Sequence, residues 1–422
     1  MVRNKMAPPP QARKFGAPLF FCTFTESSDE VVLGGGGGSS STGVANRLLL
    51  VKTEAEGKRT GTGTGTGAHQ CRLECDPAGE LHTGAFTCVN GTWVKSKQYF
   101  ISVMSGGDLL VKYRLDRRSK GEKDDELQFR KIDIDRSKTK SIQGAEVKSI
   151  ASNFTGAQVA VGLDTGKIVI FETDKMEQVR FFDPNKHSQV PPKGGVMNLS
   201  YSSCGTRVVA VKDNGFAFIW DTTSGKKKTK ATPVTPFESA TPGGMFRGCY
   251  SYSLSKDTSK TFFCLGENVK GKSFLTTWSM EKGGKKGSKL LLTRKVPAHQ
   301  SALTALAGYS SPIRKGKGTA SSAKGEKHLV ATACSEGEIA VYSLEHGLTC
   351  LVRVPNAHMI FVTNLAFSND GGRLVSVSAD AGARITSIVR TGDQVARERQ
   401  LKYAVMFLLL AMIIYYFFLN NM

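Results

Sequence analysis

The stretch 31–52 reads VVLGGGGGSSSTGVANRLLLVK, with five consecutive glycines, three serines and a Thr-Gly between two apolar runs. A glycine-rich turn can cradle a phosphate when it leads into a helix, whose N-terminal amides and dipole attract the anion. The P-loop pattern G-x4-G-K-[ST] needs a lysine to reach the phosphates. Gly38 and Gly43 have the glycine spacing, but Val44 stands where the lysine belongs. The dinucleotide pattern G-x-G-x-x-G, started from Gly34, meets Ser39 at its third glycine. The following segment 47–52, RLLLVK, reads as a strand and not as a helix. The arrangement is therefore strand, loop, strand, and nucleotide binding by this chain is not expected. Two readings remain. Gly/Ser tracts make flexible tethers, whereas glycines at defined positions allow backbone shapes closed to other residues. Accessible glycine carbonyls could also coordinate a hard cation through oxygen.

Other chemistry is hard to assemble. The seven histidines, at 69, 82, 187, 299, 328, 346 and 358, are dispersed, and no Ser/His/Asp or paired-carboxylate pattern stands out. Each histidine reads as structural or exposed. Nine cysteines are scattered, and the close pair Cys71 and Cys75 has C-x3-C spacing. No second pair or nearby histidine completes a zinc set. An odd count without a framework fits a reducing compartment.

The elements that must position the loop repeat along the chain. VKSIASNFTGAQVAVGLDTGKIVIFET (147–173) and VMNLSYSSCGTRVVAVKDNGFAFIWDT (196–222) share one grammar: strand, polar turn with glycine, strand, Asp-x-Gly turn, strand. The segment 362–388 repeats it, and 328–344 supplies two strands of a further copy. The hairpin glycines Gly166 and Gly215 are 49 residues apart, and Gly337 and Gly382 are 45 apart. A four-stranded propeller blade takes about 40–45 residues. Positive φ is cheap for glycine in such tight turns. Trp220-Asp221 follows a strand as a WD dipeptide does, and Ala298-His299 and Ala357-His358 sit where such repeats carry Gly-His. Weaker copies at 86–115, 249–279 and 20–52 bring the number to seven. The expected fold is all-β, a seven-bladed β-propeller over 15–389, since stacking blades in a ring buries strand faces and removes open edges. The segment 18–24 is expected to close the ring, 1–14 to be a disordered N-terminus, and the Thr-Gly tract 59–68 to be a flexible loop.

Lys and Arg outnumber Asp and Glu, 57 to 36, giving a net charge of +21. The excess gathers in inserts at 117–123, 226–230 and 314–327, without interleaved aromatics or a nucleic-acid module, so no nucleic-acid partner is expected. No signal peptide opens the chain. At 403–419 the chain reads YAVMFLLLAMIIYYFFL, without a charge or a polar face. Such a helix would span about 26 Å, enough for a thin bilayer such as the endoplasmic reticulum. Basic residues in the tether 390–402 precede it and the short tail 420–422 follows, which places the propeller in the cytosol and the tail in the lumen. The sequons at Asn90, Asn153 and Asn198 would then never meet the glycosylation machinery.

The string GGGGG…TGVAN before a strand, the seven degenerate repeats, AHMIFVTNLAFS, VSVSAD and a C-terminal single anchor together resemble one family. It is the Sec-twelve-like, or prolactin regulatory element-binding protein, family of endoplasmic-reticulum guanine-nucleotide exchange factors for the COPII coat GTPase. The resemblance covers about 15–419 and is specific at 31–52 and 355–380. It implies that the glycine loop of the first blade is organised by potassium and pressed into the small GTPase. Thr42, Gly43, Val44 and Asn46 would then carry the exchange activity. Backbone oxygens of Gly36, Gly37, Gly38, Ser39 and Gly43 would hold the ion. Family members usually have isoleucine where this chain has Val44, a difference of one methylene. The resemblance also leaves room for an alternative, a non-catalytic propeller adaptor that assists cargo or transporter exit. An exchange factor needs no covalent chemistry, which fits the dispersed histidines. The basic surface would favour an anionic cytosolic leaflet by about 1 kcal/mol per well-placed Lys or Arg.

Overall fold

The computed structural model describes residues 12–388, apart from 40–42, 56–70, 75, 95–96, 106–109, 121–123, 223–233, 240, 255–259, 282–289, 312–326 and 346. Thr42, the tract 59–68, most of the three basic inserts, and the segments 390–402, 403–419 and 420–422 lie outside the described residues. Among the described residues no helix is long and apolar enough to cross a membrane.

The repeats fold as seven antiparallel sheets. In blade three the strands are Val147–Ser152, Gln158–Leu163, Ile168–Glu172 and Gln178–Phe182. Blade four repeats them at Val196–Tyr201, Arg207–Lys212, Ala217–Asp221 and Val234–Phe237. In both blades the second strand is almost wholly buried while the fourth is less so, mostly exposed in blade three and half-buried in blade four, as expected for sheets stacked face to face with an outer rim. Each of the seven innermost strands carries a register shift near its start, after the first paired residue in six of them, as between Val147 and Ser149 or Leu19 and Phe21, and after the second in blade five, between Phe246 and Gly248. A bulge of this kind bends a strand and raises its twist, here near the start of the innermost strand in every blade. The shared irregularity shows that even the weakly patterned copies are true blades.

The core is divided among the blade junctions. Val209, Ile219, Phe237, Phe263 and Trp278 form one apolar cluster between blades four and five. Phe21, Leu48, Trp93 and Phe100 form another between blades one and two. No blade buries its faces alone, so the ring must close.

Closure differs from the sequence expectation. The segment 18–24 is not the closing strand. Leu19–Phe24 is the innermost strand of blade one, and Thr363 Oγ1 of blade seven donates to the Leu19 carbonyl at 2.7 Å. The closing strand is Arg13–Lys14, within the segment expected to be a disordered tail, and it pairs with Ala383 and Gly382. Two polar residues give no alternating pattern; their backbone groups complete the fourth place of blade seven. A second difference concerns the last hairpin. Positive φ falls on Ala381 (+64°) and not on Gly382. Gly382 is required instead by space, since a Cβ there would sit 2.5 Å from the Asp380 carboxylate.

The strands alternate in direction. The turns joining second to third strands therefore share one face of the disc with the connections from each blade to the next. The glycine loop is such a turn, between Glu30–Gly35 and Asn46–Ala55 of blade one.

Candidate functional site

Glu30–Gly35 is buried along its whole length. A Cβ on Gly35 would stand 2.0 Å from the Pro18 carbonyl, so the chain entering the loop is pressed against the segment that precedes blade one. Gly36 donates its N–H to the same carbonyl at 2.9 Å. Its φ is +146°, and a Cβ would meet the Asn46 Cα at 2.5 Å, so only glycine fits. Gly38 and Gly43 have φ of +77° and +74° with open space around them. They need glycine for the turn itself, not for packing. Gly35, Gly36, Gly38 and Gly43 therefore have different physical reasons, and the described part of the tract is shaped rather than a free tether. Its far end leads into a strand, as the sequence indicated, and no helix N-terminus faces it.

Asn46 fixes the shape. Its side-chain oxygen accepts from the Gly38 N–H at 2.9 Å and from the Thr87 hydroxyl. Its amide nitrogen donates to the Gly38 carbonyl at 2.8 Å and to the Gly84 carbonyl at 2.9 Å. Thr87 Oγ1 also accepts from the Gly38 N–H, at 3.0 Å. One carboxamide thus ties the loop to the connection between blades one and two, with every lone pair and donor engaged. The residue is 5% exposed. Asn46 cannot offer its side chain to a partner; it is a positioning residue beneath the loop. Gly43 and Ala45 are exposed and Val44 is half-buried, so the sequence Gly43-Val44-Ala45 lies on the outer surface of the loop. Thr42 lies outside the described residues.

The cation implied by the resemblance can be tested on the donors. Gly36, Gly37, Gly38, Ser39 and Gly43 would supply uncharged backbone oxygens, a set suited to a hard cation. The Gly38 carbonyl already accepts from Asn46 and keeps one lone pair. These donors match such an ion in kind, as uncharged oxygens.

The histidines have structural roles. His358 Nε2 pairs with Ser376 Oγ at 2.8 Å and His358 Nδ1 stands 3.7 Å from Asp380. The order is that of a serine-hydrolase triad. Ser376 is only 1% exposed, however, and the Asp380 carboxylate accepts from the N–H groups of Met359 and Gly382. These groups lock a turn, and no substrate can reach the hydroxyl. Burial holds His358 well below the usual imidazole range, at about 4, although Asp380 and its hydrogen bond oppose the shift. His299 repeats the device one blade earlier, with Glu338 at 2.7 Å and Thr332 at 2.9 Å. The central channel, about 520 Å³, is lined by residues such as Asn90, Asn153, Asn198 and Thr363, with Arg247 as its charged group. No carboxylate or histidine is among its lining residues. Sequence reasoning missed Gly84, Thr87 and the segment 15–18 as supports of the loop. They lie at distances along the chain that no local pattern reveals.

Seven antiparallel blades, six of four strands and the first of five, together with turn glycines and His–Ser/Thr–acid locks, define a WD-type β-propeller. Residues 349–387 match the family of the WD domain, G-beta repeat. The chain is 25% identical to SEC12-like protein 2 of Arabidopsis thaliana over 246 residues, 58% of this chain and 52% of that protein, so it matches about half the length of this curated relative. Two solved assemblies, "COPII on membranes, outer coat vertex" and "The structure of the COPII coat assembled on membranes", contain similar chains. Each superposes with a TM-score of 0.58 at 12% identity over 90% of this chain, covering 86% and 48% of theirs. Sqt1 of Chaetomium thermophilum, bound to the N-terminus of ribosomal protein L10, superposes with a TM-score of 0.53 at 12% identity over 89% of this chain and 100% of its own. At such identity the likeness is one of fold. With the sequence match and the loop, these findings support a Sec12-like propeller.

Proposed function

We propose that this protein is a guanine-nucleotide exchange factor for a small GTPase of the COPII coat, anchored to the endoplasmic-reticulum membrane by residues 403–419. The observation that carries the proposal is the first-blade loop. It replaces a tight turn with a glycine-shaped projection whose tip, Gly43-Val44-Ala45, is accessible while Asn46 holds its base. Its setting in a chain similar to SEC12-like protein 2 supports that reading.

Exchange requires only differential binding. A protein that binds the nucleotide-free GTPase better than the GDP-bound form speeds GDP release, and each 1.4 kcal/mol of preference is worth about tenfold. The described ends of the loop meet this need by being held in place by Asn46, Thr87 and Pro18. The conformational entropy of those residues is spent on folding rather than on docking. Potassium, when bound to the oxygens of Gly36, Gly37, Gly38, Ser39 and Gly43, would add stiffness to the same loop.

The test is GDP release from the GTPase by the full-length chain in vesicles. Acceleration is expected. Val44→Asp should reduce it at least tenfold with folding unchanged, because a charge would be forced against the partner. Asn46→Ala should reduce it as strongly and also lower stability by about 2 kcal/mol, since it orphans buried groups of Gly38, Gly84 and Thr87. No acceleration by the wild type would overturn the proposal and favour a non-catalytic adaptor at cargo exit.

A further inference from the structure

The face that carries the glycine loop also carries the most exposed apolar run among the described residues. In the connection from blade six to blade seven, Met359, Ile360 and Phe361 are 81%, 41% and 44% exposed in succession. Their backbone is held. The Met359 N–H donates to Asp380 Oδ2 at 2.9 Å, and Ser378 Oγ donates to the Phe361 carbonyl at 2.9 Å. The preceding His358 is buried. Three large apolar side chains on a fixed backbone, all open to water, mark a contact surface.

This run is continuous with the glycine loop. Asp380, which holds Met359, pairs with Lys14 at 3.1 Å. The next residue, Phe15, donates its N–H to the Ala381 carbonyl at 2.9 Å and accepts from Arg47 Nη2 at 3.0 Å. Arg47 adjoins Asn46, and the Pro18 carbonyl accepts from Gly36. The connection into blade seven, its last hairpin turn, the segment 15–18 and the glycine loop therefore form one hydrogen-bonded strip across the junction of blades seven and one. Beyond the loop, Phe86 is 37% exposed in the connection that pins Asn46 through Gly84 and Thr87.

The course of the chain indicates what this strip faces. Gly382–Ser387 starts beside Arg13–Lys14 on the glycine-loop face and runs to the opposite face, where the Ile388 N–H donates to the Gly372 carbonyl at 2.8 Å. Ile388 thus lies on the far side. If the segment beyond it tethers the chain to a bilayer, the apolar strip is turned away from that attachment and is open to a protein in solution.

We propose that Met359, Ile360 and Phe361 form a second anchor for the same small GTPase that docks on the glycine loop, so that both are engaged at once. This inference rests on the exchange reading above. Two anchors flanking a pre-formed strip would grip the GTPase in one orientation, with the apolar run supplying affinity and the loop acting at the nucleotide site.

The test compares wild type, Met359→Asp, Met359→Ala and Val44→Asp as full chains in vesicles. Binding of nucleotide-free GTPase and GDP release are measured together. Met359→Asp should weaken binding about tenfold and Met359→Ala less, with the urea midpoint unchanged because the side chain is exposed. If Met359→Asp binds and exchanges like the wild type while Val44→Asp fails, this anchor is refuted and the exchange reading stands. If the wild type neither binds nor accelerates, both are overturned.

Discussion

The second-to-third-strand connections of blades one and four occupy equivalent places and are built differently. In blade four the turn closes on its own backbone. Gly215 donates to the Lys212 carbonyl at 2.9 Å, Lys212 to the Phe216 carbonyl at 2.8 Å, and the Asn214 side chain caps Phe216 at 3.0 Å. The bonds that shape the turn lie within five residues; neighbouring connections bond to it afterwards, as Asp213 N–H does to the Gly195 carbonyl at 2.9 Å and Phe246 N–H to the Gly215 carbonyl at 3.1 Å, and the turn offers little beyond the sheet edge. In blade one the ladder ends at Gly35 and Arg47, and the chain between them leaves the sheet. That loop borrows its restraints from elsewhere: Pro18, Gly84, Thr87, and the Asn46 carboxamide that reaches back across it. A repeat fold can spare one such exception because the other junctions close the ring. The exception is where a partner can be met.

Two glycine substitutions separate the two kinds of connection most strongly. Gly36→Ala would place a Cβ 2.5 Å from the Asn46 Cα at a φ of +146°. Gly215→Ala, in the tight turn of blade four, would place one 2.9 Å from the Met245 Cα at a φ of +81°. Each should cost about 3 kcal/mol or more, read as a shift of the urea midpoint. Gly36→Ala should also abolish exchange, whereas Gly215→Ala should leave the rate of the folded fraction near normal. Equal exchange in both would mean that the loop's shape is not the determinant.

The tight-turn side of the comparison has a pH signature. His358 lies under the last hairpin, with its pKa lowered by burial from 6.5 to about 4. The unfolded chain therefore binds more protons than the folded chain between these values. Stability is full above about pH 6.5 and is lost as pH falls towards 4, by up to about 3 kcal/mol. Denaturant titrations at pH 7 and pH 4.5 should show this slope, and His358→Gln should reduce it. An unchanged slope in the variant would place the acid sensitivity elsewhere.

The same contrast explains what could be read without coordinates. Tight turns are local. Asp164 to Gly166 and Asn214-Gly215 announce themselves between alternating apolar runs, and the strands around them fall where the pattern puts them. The closing strand Arg13–Lys14 has no such pattern, because its contribution is backbone pairing with Gly382 and Ala383. The glycine loop was visible as an anomaly, and its chemistry excluded a phosphate cradle. The role of Asn46 was not visible. It depends on groups at 84 and 87, about forty residues away, brought near because Gly79–Gly84 returns to pair with Asn46–Ala55 in the same blade. Met359, Ile360 and Phe361 stood in the sequence only as part of AHMIFVTNLAFS, and their exposure became visible only in the fold.

The smallest effect is at the tip of the loop and sharpens the comparison most finely. Val44 is half-buried, with Gly43 and Ala45 exposed on either side, so its outer methyl is free to meet a partner. Val44→Ile adds one methylene to that surface without entering the core. A buried methylene is worth about 0.8 kcal/mol. If the partner covers this position in the exchange complex, the variant should bind nucleotide-free GTPase about fourfold more tightly and raise the exchange rate by up to that factor. The same change in a strand of the packed wall, such as Val209→Ile at a fully buried position, should instead cost stability through overpacking. A gain at 44 with a loss at 209 would show that the loop tip is an unfilled half of an interface. No gain at 44 would mean that the partner leaves this side chain in water, and that the contact is made by the backbone of Gly43 and Ala45.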